Sequence, residues 1–288
     1  MSAIRSEENE PIQVLFTMHD NMNLLDFAGP LEVLTHAQHD FNNPDTKAFD
    51  ITLAGPQESV LTAQGVTLNA QISYKEAHKR LKEFDVLVVP GGKEKCMEMV
   101  KKEAEPLPLV TDFAELQTAD PARERTLLAI DTASLFLANQ GLLQGLAATT
   151  HPDFYIKLEH ECQNAAANDT GERTDCMEER YVVNNARFDL GENLEENPYV
   201  FKKNRKGSNA RKGSLARRES NLSKEYLVRR KSMKLGGMRV ITSGGAVSGI
   251  DASLYLVSAL VSHESAQEVA RIMQYDWVKG VVVDAIDV

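Results

Sequence analysis

Asp131 is the residue whose setting most suggests chemistry in this 288-residue chain. The apolar run Leu127-Leu128-Ala129-Ile130 stops at it, and residues 132–140 continue with helix formers that include Leu135, Phe136 and Leu137. The period therefore changes from strand to helix at one acidic residue. Such a switch predicts a nucleophile elbow, a sharp turn that holds its side chain above a sheet while the next backbone N–H groups point at the place of a reacting oxygen. A carboxylate there has two kinds of work open to it, covalent attack or removal of a proton from water. His151, at a later strand-to-helix junction, is a second titratable candidate and reads equally well as a helix cap or surface histidine. Cys96, Cys162 and Cys176 show neither Cys-x-x-Cys spacing nor an even count, which predicts reduced thiols, no disulfide framework and no zinc site. Cys96, four residues after Gly92, reads as a partly buried spectator. No metal and no cofactor is expected.

The elements that must position these residues follow from periodicity. Residues 13–18 read as a buried strand and 24–38 as a helix in which Asp26 is the polar exception. Taken alone, Asp26 suits a helix cap. Residues 49–54 form a second strand, and 60–72, with Gly65 in the middle, suit a hairpin attached to the sheet. Ser73-Tyr74-Lys75-Glu76 is a capping box for a short helix to residue 84. Residues 85–90 are continuously apolar and end in Pro90-Gly91-Gly92, and such strands belong to a parallel sheet covered on both faces. After the elbow come a short strand at 147–150, a helix opened by His151-Pro152-Asp153, an aperiodic stretch at 161–178 that reads as a surface loop, and a strand at 181–188. The pattern resumes at Arg239 with a strand and a glycine turn. A buried helix at 252–263 and a last helix capped by Ser265-Ala266-Gln267-Glu268 follow. The alternation predicts one three-layer α/β domain over 12–288 behind a disordered 1–11, with a mainly parallel central sheet and the site at the strands' carboxyl ends.

Three stretches resemble the ThiJ/PfpI superfamily, the class I glutamine amidotransferase-like (flavodoxin-like) fold, and within it the isocyanide hydratase-like branch. That branch reads Cys-Thr-Gly-Ser at the elbow, then Gly-Leu-Leu-x-Gly and Ala-Thr-Thr-His; this chain has Asp131-Thr132-Ala133-Ser134, Gly141-Leu142-Leu143-Gln144-Gly145 and Ala148-Thr149-Thr150-His151. Leu25-Asp26-Phe27-Ala28-Gly29-Pro30 is similar to the family's Leu-Asp-x-x-Gly-Pro, and residues 242–251 to its Thr-Ser-Ala-Gly-x-x-Ala-Gly-Ile-Asp. The resemblance implies that Asp131 stands at the position of the family's catalytic cysteine, that Asp26 exchanges protons with it, and that His151 stands beside it. It also implies that Gly91 and Gly92 lend backbone N–H groups to a small-molecule site shared with Thr132 and Thr150, and that the protein forms a homodimer. Two carboxyl groups so placed are expected to share one proton. The resemblance covers residues 12–275 apart from one insert.

That insert, at 192–237, changes the composition. Residues 201–238 hold thirteen Lys or Arg against two acids, a charge of +11, while the remainder of the chain carries −21 and the whole −10. With few apolar residues it reads as disordered. Ser220 and Ser232 follow arginine pairs and Ser214 a weaker basic cluster, the spacing of basophilic kinase substrates, so a protein kinase is an expected partner. The basic clusters read equally as nuclear-import signals. No apolar run approaches the ~18 residues of a membrane helix, and the first residues lack a secretory apolar stretch, so a cytoplasmic protein with a nuclear alternative is expected. Neither a membrane nor nucleic acid is expected as a partner. Three functions remain open: a hydratase or hydrolase of a small electrophile using the Asp pair, a non-catalytic small-molecule sensor, and a stress-associated dimer in which Asp131 imitates an oxidised cysteine.

Overall fold

The computed structural model describes residues 10–40, 43, 45–92, 94–168, 172–186 and 233–283. Its centre is an eight-stranded sheet built from β1 (Ile12–Thr17), β2 (Phe49–Gly55), β5 (Ile72–Ser73), β6 (Val86–Val89), β7 (Thr126–Ala129), β10 (Tyr181–Asn184), β11 (Arg239–Ser243) and β12 (Val281–Val283). The spatial order is β12-β10-β11-β7-β6-β1-β2-β5. All neighbours run parallel except β10 with β11. Alternate strand residues feed opposite cores. Leu15, Leu87, Val89, Leu127, Ala129 and Val240 face one, and Val14, Phe16, Val86, Val88, Leu128, Ile130 and Ile241 face the other.

The first core is covered by α2 (Tyr74–Arg80), α3 (Glu94–Lys102), α4 (Leu107–Ala119), α5 (Ser134–Asn139) and α6 (Tyr155–Asn168). The second lies under α1 (Leu24–His36), α7 (Ala246–Leu260) and α8 (His263–Ile272). This is the expected three-layer α/β fold. The Ser73 capping box forms, its hydroxyl accepting from the Glu76 N–H at 3.3 Å.

Several local expectations are corrected. The hairpin of β3 (Ser59–Leu61) and β4 (Thr67–Asn69) turns at Gly65 but makes its own two-stranded sheet, because its strand pairing is spent internally. The stretch 161–178 is not a loop throughout: α6 runs on to Asn168, since Leu158 and Cys162 recur at helical spacing and bury one face. Further on, β9 (Asp175–Cys176) pairs with β8 (Ala147–Ala148). Helix α7 begins at Ala246, six residues before the expected start, directly after the turn at Gly245. The cap of α8 is Ser262, whose hydroxyl accepts from the Ser265 N–H at 3.0 Å, while the Ser265 hydroxyl donates to the Gln38 carbonyl. At the edge of the insert, Lys234–Gly237 already form a 3-10 turn held by Gln117, whose Nε2 donates to the Gly236 carbonyl at 3.1 Å. Residues 1–9, most of the insert, and with it Ser214, Ser220 and Ser232, lie outside the described residues. No described helix is long and apolar enough to cross a membrane.

Candidate functional site

Strand register brings the site together. Phe16 lies beside Val88 and Val89 beside Ala129, so the chains leaving β1, β6 and β7 emerge side by side as Met18-His19, Pro90-Gly91 and Ile130-Asp131. Asp131 takes φ +57°, a left-handed conformation that costs a side-chain-bearing residue about 1–2 kcal/mol. Hydrogen bonds hold it there: the hydroxyls of Ser134 and Thr150 both donate to the Asp131 carbonyl at 3.2 Å. The elbow expected at this residue therefore forms, as a 3-10 turn over Asp131–Ala133 that leads into α5.

The Asp131 carboxylate does not project freely. Its Oδ1 accepts from the Thr132 N–H at 2.6 Å, the first backbone donor of the elbow. The Thr132 hydroxyl accepts from the Gly92 N–H at 3.1 Å and donates to Cys96 Sγ at 3.4 Å. Two of the amides expected to face a reacting oxygen, those of Thr132 and Gly92, are thus engaged by the site's own side chains. Cys96 is fully buried, not partly so, and its thiol is pushed up to about 12 by burial, with Asp131 and Asp26 adding to the effect against the Thr132 hydrogen bond. Such a thiol is unreactive at neutral pH.

Asp26 meets this elbow through Gly91. A Cβ placed on Gly91 would lie 2.9 Å from Asp131 Cβ, 2.9 Å from Asp26 Oδ2 and 2.9 Å from the Ile130 carbonyl oxygen, so the two acids lie within twice that distance of each other. Only a residue without a side chain fits between them. Asp26 is fully buried in the first turn of α1, and the N-cap is Asn23, so a capping role does not describe it. Asn23 Nδ2 donates to Asp26 Oδ1 at 3.0 Å, and its backbone N–H donates to the Gly91 carbonyl at 3.0 Å. The helix and the glycine loop are therefore tied at the acid.

His151 follows Thr150, whose hydroxyl holds the Asp131 carbonyl, and takes the capping role. Its Nδ1 accepts from the Asp153 N–H at 3.2 Å, capping the turn before α6, and its ring packs on Phe154. The site histidine that sequence reasoning missed is His19. It is 3% exposed, with Nε2 3.2 Å from the Pro90 carbonyl oxygen and Nδ1 3.2 Å from that of Asp20. A Cβ on Gly92 would come 2.6 Å from its ring, so the second glycine makes room for this side chain. Burial lowers its pKa, against the pull of the two carbonyls. The signal in sequence was positional: His19 is two residues beyond a parallel strand, on the side of the sheet where such sites gather. Among the described residues no group of three or more His, Cys, Asp or Glu side chains is arranged to hold a metal.

Taken together the elements offer two acids meeting across Gly91, a buried imidazole and a backbone cradle whose Thr132 and Gly92 amides are already engaged. This is suited to moving protons and poorly suited to stabilising an oxyanion outside the chain.

Residues 12–187 match the model of the DJ-1/PfpI family. No curated protein matches the chain. Among solved structures, Drosophila melanogaster DJ-1beta is 17% identical with a TM-score of 0.54, covering 93% of this chain and 100% of that one. A ThiJ/PfpI family protein from Pseudomonas syringae is 15% identical with a TM-score of 0.55, covering 93% and 76%. An AraC family transcriptional regulator from Pseudomonas putida is 16% identical with a TM-score of 0.54, covering 91% and 100%. At these identities the likeness is one of fold.

Proposed function

The chain belongs to the DJ-1/PfpI family, and we propose that its elbow runs proton-transfer chemistry on a small neutral electrophile, such as an isonitrile, without a covalent enzyme intermediate. The reading places Asp131 where the isocyanide hydratase-like branch carries its cysteine. The observation that carries it is the 2.6 Å hydrogen bond from the Thr132 N–H to Asp131 Oδ1, beside Asp26 across Gly91. A carboxylate that fills its own oxyanion position is badly placed for covalent attack on a carbonyl, yet two acids in one dry site are the arrangement for a donor and an acceptor.

In this scheme Asp26 carries the shared proton and Asp131 is the base. Asp26 gives its proton to the terminal carbon of the isonitrile; Asp131 takes one from a water whose oxygen bonds to that carbon. The resulting imidic acid moves its O–H proton to nitrogen and leaves as the N-formyl amine, and one proton passing from Asp131 back to Asp26 restores the pair. A small-molecule ligand and a homodimeric assembly belong to this reading. So does a kinase acting on Ser214, Ser220 and Ser232.

A second reading, a non-catalytic sensor, has its own observation in its favour. Asp131 is 2% exposed and Asp26 fully buried, a setting that leaves little room for a substrate to turn over at the pair. The two separate in one experiment, incubation of the protein with isonitriles, 2-oxoaldehydes and small esters, beside Asp131→Asn and Asp26→Asn. Proton transfer predicts product with at least one class and a loss of about 10²–10⁴-fold in either variant. Binding without turnover favours the sensor; turnover that survives both substitutions removes the acid pair from the mechanism.

A further inference from the structure

Three elements meet on one imidazole away from the elbow. His78, in the last turn of α2, has Nε2 2.8 Å from Glu105 Oε1 and Nδ1 2.7 Å from Asp112 Oδ2. Glu105 belongs to the connection between α3 and α4, and Asp112 to α4 itself. A neutral imidazole carries one N–H and donates to one carboxylate, so both contacts are hydrogen bonds only when both ring nitrogens hold protons. The arrangement is therefore that of an imidazolium between two carboxylates.

We propose that His78 is a proton-operated latch, closed as the imidazolium between Glu105 and Asp112 and opened toward α4 when it loses a proton, and that through Tyr74 it sets how firmly α2 holds the exit of β1. The connection runs along α2. Tyr74 stands four residues before His78 on the same face of the helix, and its buried hydroxyl donates to the Met18 carbonyl at 2.7 Å. Met18 comes directly before His19, where β1 leaves the sheet. The latch does not depend on the chemistry proposed for Asp26 and Asp131.

Other charges around α2 are paired elsewhere or face water. Lys79 pairs with Glu76, Arg80 with Glu83 on the turn after α2, and Asp85, just before β6, with Arg123. Lys75, Lys82, Lys101, Lys102, Glu103 and Glu115 are exposed. Asp50, the one charge on β2, lies at the opposite end of that strand from Gly55, which pairs with Ser73 at the start of α2. Glu105 and Asp112 thus govern the ring. Partial burial pulls the His78 pKa down, but the hydrogen bonds and charges of these two acids outweigh it and raise it above the ordinary 6.5. The latch is complete below 6.5 and is lost as pH rises through the raised value.

Loss of the proton leaves one N–H for two acceptors. Glu105 keeps it, because its Oε2 is buried with no hydrogen-bond partner among the described residues, whereas Asp112 is half exposed and turns to water. The tie between α2 and α4 is the one that opens.

Two measurements on the full-length protein test this. Histidine-ring NMR, with the His78 signal identified by its absence in His78→Gln, follows the titration of wild type, Glu105→Gln and Asp112→Asn. The expected midpoint lies above 6.5 in wild type and falls in each acid variant. Hydrogen exchange, corrected for intrinsic rates, then compares wild type with His78→Gln at pH 6 and pH 9. Glutamine can still donate to Glu105 but never carries the charge, so residues 74–80 and 17–20 should exchange more slowly in wild type at pH 6 and alike in the two proteins at pH 9. A midpoint at or below 6.5, a midpoint that neither acid variant moves, or equal exchange at pH 6 overturns the latch. Asp112 is half exposed, so its variant keeps the titration decisive even where Glu105→Gln fails to fold.

Discussion

Gly91→Ala tests the geometry on which the site rests. The added methyl would stand 2.9 Å from each of three atoms, Asp131 Cβ, Asp26 Oδ2 and the Ile130 carbonyl oxygen. None of these can swing aside: one is the root of a residue locked at positive φ, one belongs to a carboxylate held by Asn23, and one is backbone at the end of a strand. Overpacking of this kind costs about 2–3 kcal/mol, the upper part of the usual range, because no flexible side-chain end gives way. For a chain of this size that is a fall in Tm of about 4–12 °C. The control is Gly65→Ala in the β3–β4 hairpin. Gly65 has φ +82° with nothing within 4 Å of an added Cβ, so only the left-handed backbone penalty of about 1 kcal/mol applies. Urea unfolding followed by far-UV circular dichroism measures both. A Gly91→Ala protein as stable as wild type, or a Gly65→Ala protein that falls as far, would show that the two acids do not close on the glycine as described.

Asp131→Asn is expected to keep the fold, since asparagine tolerates φ near +60° and retains an oxygen for the Thr132 N–H; a shift of more than a few degrees in Tm would mean that the charge itself holds the elbow. His19 makes stability depend on pH. Burial depresses its folded pKa below the ordinary 6.5, so its contribution is complete above 6.5 and is lost as pH falls through that value toward the folded pKa. His78, raised by Glu105 and Asp112 against its partial burial, acts in the opposite direction and is present in both proteins, so the difference in Tm between wild type and His19→Asn from pH 7.5 to 5 isolates His19. An unchanged difference across that range removes His19 from the account. Asp251→Ala strips the partner from Arg180 and the acceptor from the Val278 N–H at 2.8 Å. It should cost about 2–3 kcal/mol in chemical unfolding, less than a fully buried pair because the arginine is a third exposed. A loss below 1 kcal/mol would make that pair a surface one in energetic terms.

The parts of the molecule that sequence reasoning located share a cause. Val86–Val89 and residues 127–130 are apolar throughout because both faces are covered, and the break of that pattern at Asp131 marks the elbow without ambiguity. Asp26 was harder, since an acid in a first turn has an ordinary capping use; its full burial, the N-cap at Asn23 and its contact across Gly91 separate the two roles. His19 was missed because its importance is created by register between β1 and β6, which no local pattern encodes. The tail of α6 was missed for the opposite reason: the polar run around Cys162 hides one buried stripe that only tertiary packing reveals. The early start of α7 likewise follows from its packing against the elbow, where a Cβ on Gly249 would lie 2.8 Å from Ile130.

The hydrogen bond from the Thr132 N–H to Asp131 Oδ1 makes the elbow a receptor that arrives with its ligand attached. A tethered acetate-like group occupies the anion position at all times, at an effective concentration no free carboxylate in solution can match. Any molecule entering the site is therefore sorted by charge before shape matters: anions meet a filled position and a like charge, whereas neutral and cationic molecules meet a carboxylate that can accept from them.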